Sequence, residues 1–163
     1  MPKGPAARIN DLTAHGGPLV PGPPSLNVMI GGQFAWLGMT AAAAAALAST
    51  IAAGARDVAD KTAKVAAAGM AGPAVVAKAQ KDLADATAKA ASDTAAAMTG
   101  SGASINACPI VKLLVPDGIG VVIMPSQTVL INNLGACRVG DMIQEVTSVN
   151  SIAVGLPTVI IGG

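Results

Sequence analysis

The sequence predicts a mainly β fold: one small domain of short strands, interrupted by an α-helical hairpin. Three observations predict it. A short apolar phrase occurs three times, as Leu26-Asn27-Val28-Met29-Ile30-Gly31-Gly32, Gln127-Thr128-Val129-Leu130-Ile131-Asn132-Asn133 and Pro157-Thr158-Val159-Ile160-Ile161-Gly162-Gly163. A second phrase, Ala6-Ala7-Arg8-Ile9-Asn10-Asp11, returns as Ala136-Cys137-Arg138-Val139-Gly140-Asp141. Between these copies, residues 39–98 are dominated by alanine and hold a single proline, Pro73.

Each copy of the first phrase is an aliphatic run that stops at Gly-Gly or Asn-Asn. These residues accept φ > 0, so each run reads as a strand entering a tight turn. Pro24, Pro125 and Pro157 stand before or at the start of the runs, so each strand follows a rigid bend. Asp11 lies 16 residues before Asn27, and Asp141 lies 17 before Thr158. Two phrases in the same order at nearly equal spacing mark a repeat. Ala35-Trp36-Leu37-Gly38-Met39 reads as a worn third copy of the second phrase, without its Arg and Asp.

Residues 1–39 read as turns and strands. Thr13-Ala14-His15-Gly16-Gly17-Pro18 is a loop, and Pro21-Gly22-Pro23-Pro24 cannot be helical. Thr40 suits an N-cap. Gly69-Met70-Ala71-Gly72-Pro73 is a helix stop followed by a proline start. Two helices are therefore expected, over 41–68 and 74–98, as an antiparallel hairpin. The pairs Asp57/Lys61, Asp60/Lys64, Lys78/Asp82, Lys81/Asp85, Asp85/Lys89 and Lys89/Asp93 are spaced to support them. Val76, Ala79, Leu83, Ala86 and Ala90 make one narrow apolar seam. Residues 34–55 carry no charge, and a bilayer needs about 20 such residues; the competing reading is an Ala-rich helix outside a membrane. Ile110-Val111, Leu113-Leu114-Val115, Gly120-Val121-Val122-Ile123 and the segments 128–131, 143–149 and 158–161 are strand candidates. The domains read as 1–39 with 103–163, and 40–102 inserted.

Composition excludes several classes. The 163 residues carry a net charge of +1 and only one Trp, one Phe and no Tyr. A nucleic-acid surface needs a basic stripe interleaved with aromatics, and none is present. No apolar leader opens the chain, and two Cys without a CxxC motif make no disulfide framework; reduced thiols and cytoplasmic synthesis are expected. One His and no nucleophile–base set leave no enzymatic chemistry to assign.

Pro5-Ala6-Ala7-Arg8 with Asp11, Ala14-His15-Gly16-Gly17 and the Gly-Gly-ended strands resemble the PAAR-repeat proteins. Thr128-Val129-Leu130-Ile131-Asn132 followed by Ala136-Cys137-Arg138-Val139-Gly140-Asp141-Met142 extends the likeness, which covers about 100 residues on both sides of the helical segment. The resemblance implies a small cone of β-hairpins with pseudo-threefold character. Such a cone caps a trimeric β-helical spike of the VgrG type, at the tip of contractile injection machines such as type VI secretion systems. It implies assembly at that tip, puncture of a target membrane and delivery out of the cell. A trimeric β-helix ends in three open strand edges, which invite pairing. Val28, Ile30, Val129, Ile131, Val159 and Ile161 are assigned to the spike-binding base.

The resemblance also implies a Zn²⁺ near the apex, held by His and Cys. A closed structural site takes four ligands. His15 and Cys108 are the two that match, with Glu145 third. The alternatives are a turn histidine bonded by backbone and a small buried thiol. Cys137 aligns with Ala7 and reads as packing. Arg8 with Asp11 and Arg138 with Asp141 read as structural pairs in which Asp caps turn N–H groups. A second functional reading makes the chain an effector or an effector carrier, with residues 40–100 binding a chaperone, a toxin or a bilayer.

Overall fold

The computed structural model describes residues 3–20, 26–112 and 115–162; the 21–24 proline run, Leu113-Leu114 and Gly163 lie outside them. Thr40 accepts a bond from the Ala43 N–H at 3.2 Å and opens α1 (Ala41–Ala68). Pro73 opens α2 (Pro73–Gly100), after Gly72 at φ 98°. The chain divides into two compact units, 1–45 with 98–163, and 46–97.

In the unit of residues 46–97 the helices run antiparallel and approach through small residues. A Cβ on Gly54 would stand 2.8 Å from the Ala90 Cβ. Ala86 is buried, and the lysine–aspartate pairs lie exposed along the outside, with Lys64 and Asp60 2.6 Å apart. Gly54→Leu is expected to push the helices apart at a cost of about 1–3 kcal/mol. Denaturant unfolding checks this; an unchanged midpoint would show that the seam is not close-packed.

Among the described residues the other unit holds ten strands: β1 (Gly4–Ala6), β2 (Met29–Ile30), β3 (Gln33–Phe34), β4 (Ile105–Lys112), β5 (Val115–Val122), β6 (Leu130–Ile131), β7 (Leu134–Gly135), β8 (Met142–Glu145), β9 (Val149–Ser151) and β10 (Leu156–Ile161). β2 and β3 form a hairpin, as do β6 and β7. Gly31 and Gly32 lie at φ 56° and 82°, and Asn132 and Asn133 at 52° and 65°. Positive φ at both central residues is what a two-residue hairpin turn demands. β1 pairs with β10, Pro5 opposite Ile160, just as Phe34 lies opposite Met29 and Gly135 opposite Leu130. Strands from opposite ends of the chain thus supply a third, matching pair.

The three copies of the second phrase then close a ring. Ala7 N–H donates to Cys137 O at 2.9 Å, Cys137 N–H to Trp36 O at 3.0 Å, and Trp36 N–H to Ala7 O at 3.0 Å. One position later but one, Ile9 donates to Phe34 O, Gly38 to Gly135 O and Val139 to Pro5 O, each at 2.9 Å. Asn10, Met39 and Gly140 then donate to Leu19 O, Val122 O and Ile152 O, again at 2.9 Å each. Nine bonds repeat in threes at equivalent positions. The core is built on the same positions: Ala7, Trp36 and Cys137 pack with Leu19, Val122, Ile152 and Ile143. One large side chain beside two small ones fills the centre without overpacking.

From each ring segment the chain makes an excursion and returns. The first runs from Asn10 to Leu19, the second from Met39 to Val122 and the third from Gly140 to Ile152. Thr40 stands where the other copies have Asp11 and Asp141, so the helices begin at the place where the Arg–Asp pair is missing. β4, β5, β8 and β9 form one antiparallel sheet in that order, and Thr13 bridges to Ile152 and Leu19 to Asn106.

The two helices together hold more residues than the ten strands, so helix and strand share the structure. The expected mainly β class, the small cone of short hairpins, is therefore corrected to mixed α/β. The physical reason is length: each helix holds 28 residues, whereas most strands hold two to four. The bilayer-spanning reading of 34–55 is corrected too. Phe34 lies in β3 and Ala35, Trp36 and Leu37 are buried in the ring. Among the described residues, no helix is long and apolar enough to cross a membrane.

Candidate metal centre

The three excursions converge on one group of side chains. His15 comes from the first, Cys108 of β4 and Asp117 of β5 from the second, and Glu145 of β8 from the third. One donor atom from each lies within 4.8 Å of all the others. Glycines make the convergence possible. A Cβ on Gly17 would strike the Ala107 carbonyl at 2.4 Å, so the His15 loop sits directly on β4. A Cβ on Gly120 would strike Asn106 Oδ1 at 2.3 Å and Glu145 Cγ at 2.8 Å, so β5 lets the acid cross it.

His15 Nδ1 stands 3.1 Å from Glu145 Oε2 and 3.5 Å from Cys108 Sγ, and that sulfur stands 3.9 Å from Asp117 Oδ2. Glu145 and Asp117 are fully buried. Burial alone would raise the Glu145 carboxyl. Donors from Ser148, Asn150, Cys108 and Asn106 together outweigh it and hold the group below its ordinary value. Burial raises the Cys108 thiol, with the Glu145 and Asp117 carboxylates adding to the rise. A metal taken up here displaces that proton.

This donor set suits a cation. Tetrahedral zinc, with bonds of about 2.0–2.3 Å to N, O and S, separates its ligands by roughly 3.3–3.6 Å. Three of the six separations, 3.1, 3.5 and 3.9 Å, bracket that range, and all six lie within 4.8 Å. A Cys–His–carboxylate relay instead needs thiol and acid on opposite ring nitrogens and a lowered thiol pKa. Here both face Nδ1, and the thiol is raised. A buried group of His15, Cys108, Asp117 and Glu145 that can hold a metal ion is thus present.

The remaining residues singled out in the sequence sit in the ring. Asp11 takes the Arg8 N–H at 2.8 Å and its guanidinium at 3.0 Å. Asp141 takes the Arg138 N–H at 3.0 Å and Nε at 2.9 Å, while Arg138 Nη1 donates to Gly162 O at 3.1 Å. Ser126 Oγ donates to the same carbonyl at 2.6 Å, so two side chains clamp the end of β10. Cys137 is buried in the core, where burial lifts its thiol well above the ordinary value.

Of the six assigned base residues, Ile30, Val129 and Ile131 pack partly buried against the ring, Ile161 is 6% exposed, Val28 is half-buried and Val159 is 36% exposed. The apolar side chains that the three strands turn outward are their neighbours. Met29, Leu130 and Ile160 occupy equivalent positions and are 57%, 58% and 57% exposed.

Sequence reasoning missed Asp117, because Asp117-Gly118 reads as turn chemistry. Gly118 is indeed at φ 74°, opposite Cys108 in the β4–β5 pair, and that pairing is the signal that joins the two ligands. Comparison with protein-family models, with curated proteins and with solved structures finds no match, so any family reading rests on the residues and geometry described above.

Proposed function

We propose that this chain is a PAAR-like structural cap, one copy of which closes the end of a trimeric β-helical, VgrG-like spike in a contractile injection machine. The cyclic backbone bonding of the three phrase copies carries the reading. A single chain that repeats its own backbone bonds three times around a centre suits a threefold partner, because each partner strand then meets the same surface. Met29, Leu130 and Ile160 add three equivalent apolar side chains with nearly equal exposure. Among the described residues they stand on strands each paired on one side only, β2 with β3, β6 with β7 and β10 with β1. Open edges of this kind accept further strands.

In this reading the metal centre binds Zn²⁺ and braces the three excursions. His15, Cys108, Asp117 and Glu145 hold the ion, which supplies no chemistry beyond a cross-link. The cap rides the spike through a target membrane and needs no membrane segment of its own.

Burying one aliphatic side chain is worth about 1.5–3 kcal/mol. Leu130→Asp is therefore expected to weaken binding to the trimeric spike at least tenfold in a titration with purified partners, while an exposed helix substitution such as Ser92→Asp leaves it unchanged. Equal affinity for both variants would remove this face from the docking surface, and no complex with the unaltered chain would remove the function.

A further inference from the structure

We infer that the turn carrying Thr147 and Ser148, with Asn150 of β9 directly after it, is a positioning element that sets how tightly the metal centre binds; this rests on the metal reading above. Three side chains within four residues address three of the four ligands. Thr147 Oγ1 donates to Asp117 Oδ1 at 2.6 Å. Ser148 Oγ donates to Glu145 Oε2 at 2.6 Å. Asn150 Nδ2 donates to Glu145 Oε1 at 2.7 Å, and its Oδ1 accepts the His15 N–H at 3.3 Å and the Ser151 N–H at 2.7 Å.

Asn150 is the centre of the arrangement. It is 5% exposed, and one amide fixes both the backbone of His15 and the carboxylate of Glu145. Those ligands come from the first and third excursions, 130 residues apart in the chain. Thr147 reaches the second excursion through Asp117. The turn and Asn150 therefore tie all three excursions without themselves offering a metal donor.

The bonds also divide labour between the carboxylate oxygens. Thr147 donates to Asp117 Oδ1, and Oδ2 faces Cys108 Sγ. Asn150 and Asn106 donate to Glu145 Oε1, while Oε2 takes the Ser148 hydroxyl and faces His15 Nδ1. Each acid is so rotated that one oxygen faces the other ligands, and partners of this kind are worth about 10–100-fold in metal affinity.

The test uses the full chain with Zn²⁺, in competition with a chromophoric chelator, and with Co²⁺, whose thiolate charge-transfer and d–d bands report sulfur ligation and ligand geometry. Thr147→Val, which removes the hydroxyl at nearly constant size, and Asn150→Ala are each expected to weaken Zn²⁺ binding by about 10–100-fold and shift the Co²⁺ d–d bands. Thr147→Ser keeps the hydroxyl and restores both. Thr147 is exposed, so its two variants decide the matter even where Asn150→Ala does not fold. Folded variants with the affinity and Co²⁺ spectrum of the unaltered chain would overturn the inference. Failure of the unaltered chain to bind either ion is read before any variant, and it would overturn the metal reading itself.

Discussion

Trp36→Ala is expected to remove about 3–5 kcal/mol of stability, the usual cost of emptying a large buried aromatic site. Trp36 is fully buried and packs with Ala7, Cys137, Leu19, Val122, Ile143 and Ile152. Its equivalents in the other two phrase copies are Ala7 and Cys137, which are too small to refill the space. The change also leaves the Val20 carbonyl without the indole N–H that meets it at 3.1 Å. A domain stable by about 5–15 kcal/mol loses a large share of its margin. Urea denaturation checks the value. A loss under about 1 kcal/mol would show that the ring does not depend on a filled centre.

Zinc is expected to stabilise the protein strongly, and Cys108→Ser or His15→Ala to abolish most of that gain. A ligand held only by the folded chain contributes about 4 kcal/mol at a thousandfold excess over its Kd. For a chain of this size that raises Tm by roughly 10 °C. The cross-link joins residues that lie far apart in the sequence, so the unfolded chain cannot reproduce the site. Calorimetry with and without a chelator measures the gain. Equal melting with and without zinc would remove the brace.

The parts legible in the sequence are those in which one residue type answers a local backbone demand. The phrases repeat because positions 7, 36 and 137, and 9, 38 and 139, make the same backbone bonds. Even the worn copy around Trp36 holds its place in the ring. Gly31-Gly32 and Asn132-Asn133 announced their turns, and Thr40 and Pro73 announced the helix starts. Helices expected over 41–68 and 74–98 are found at Ala41–Ala68 and Pro73–Gly100.

What stayed hidden depends on tertiary pairing. The strands of the first phrase are apolar at successive positions, so they carry no alternation to show which face is inward. Hence Ile30, Ile131 and Ile161 lie against or within the core, and Met29, Leu130 and Ile160 point outward. Glu145 ends the strand Met142-Ile143-Gln144-Glu145, where a carboxylate reads as solvated; it is buried because Ser148, Asn150 and Asn106 satisfy it. The fold class departs from mainly β because the repeats lie in short strands, while the two long helices hold more of the chain.

Native mass spectrometry of the zinc-loaded chain mixed with a trimeric VgrG-like spike tests the proposed capping role most directly. The account predicts a complex of one copy of this chain with three spike chains, reached at saturation and not exceeded. Three copies per trimer, or none, would contradict the claim that one polypeptide imitates threefold symmetry in order to meet it.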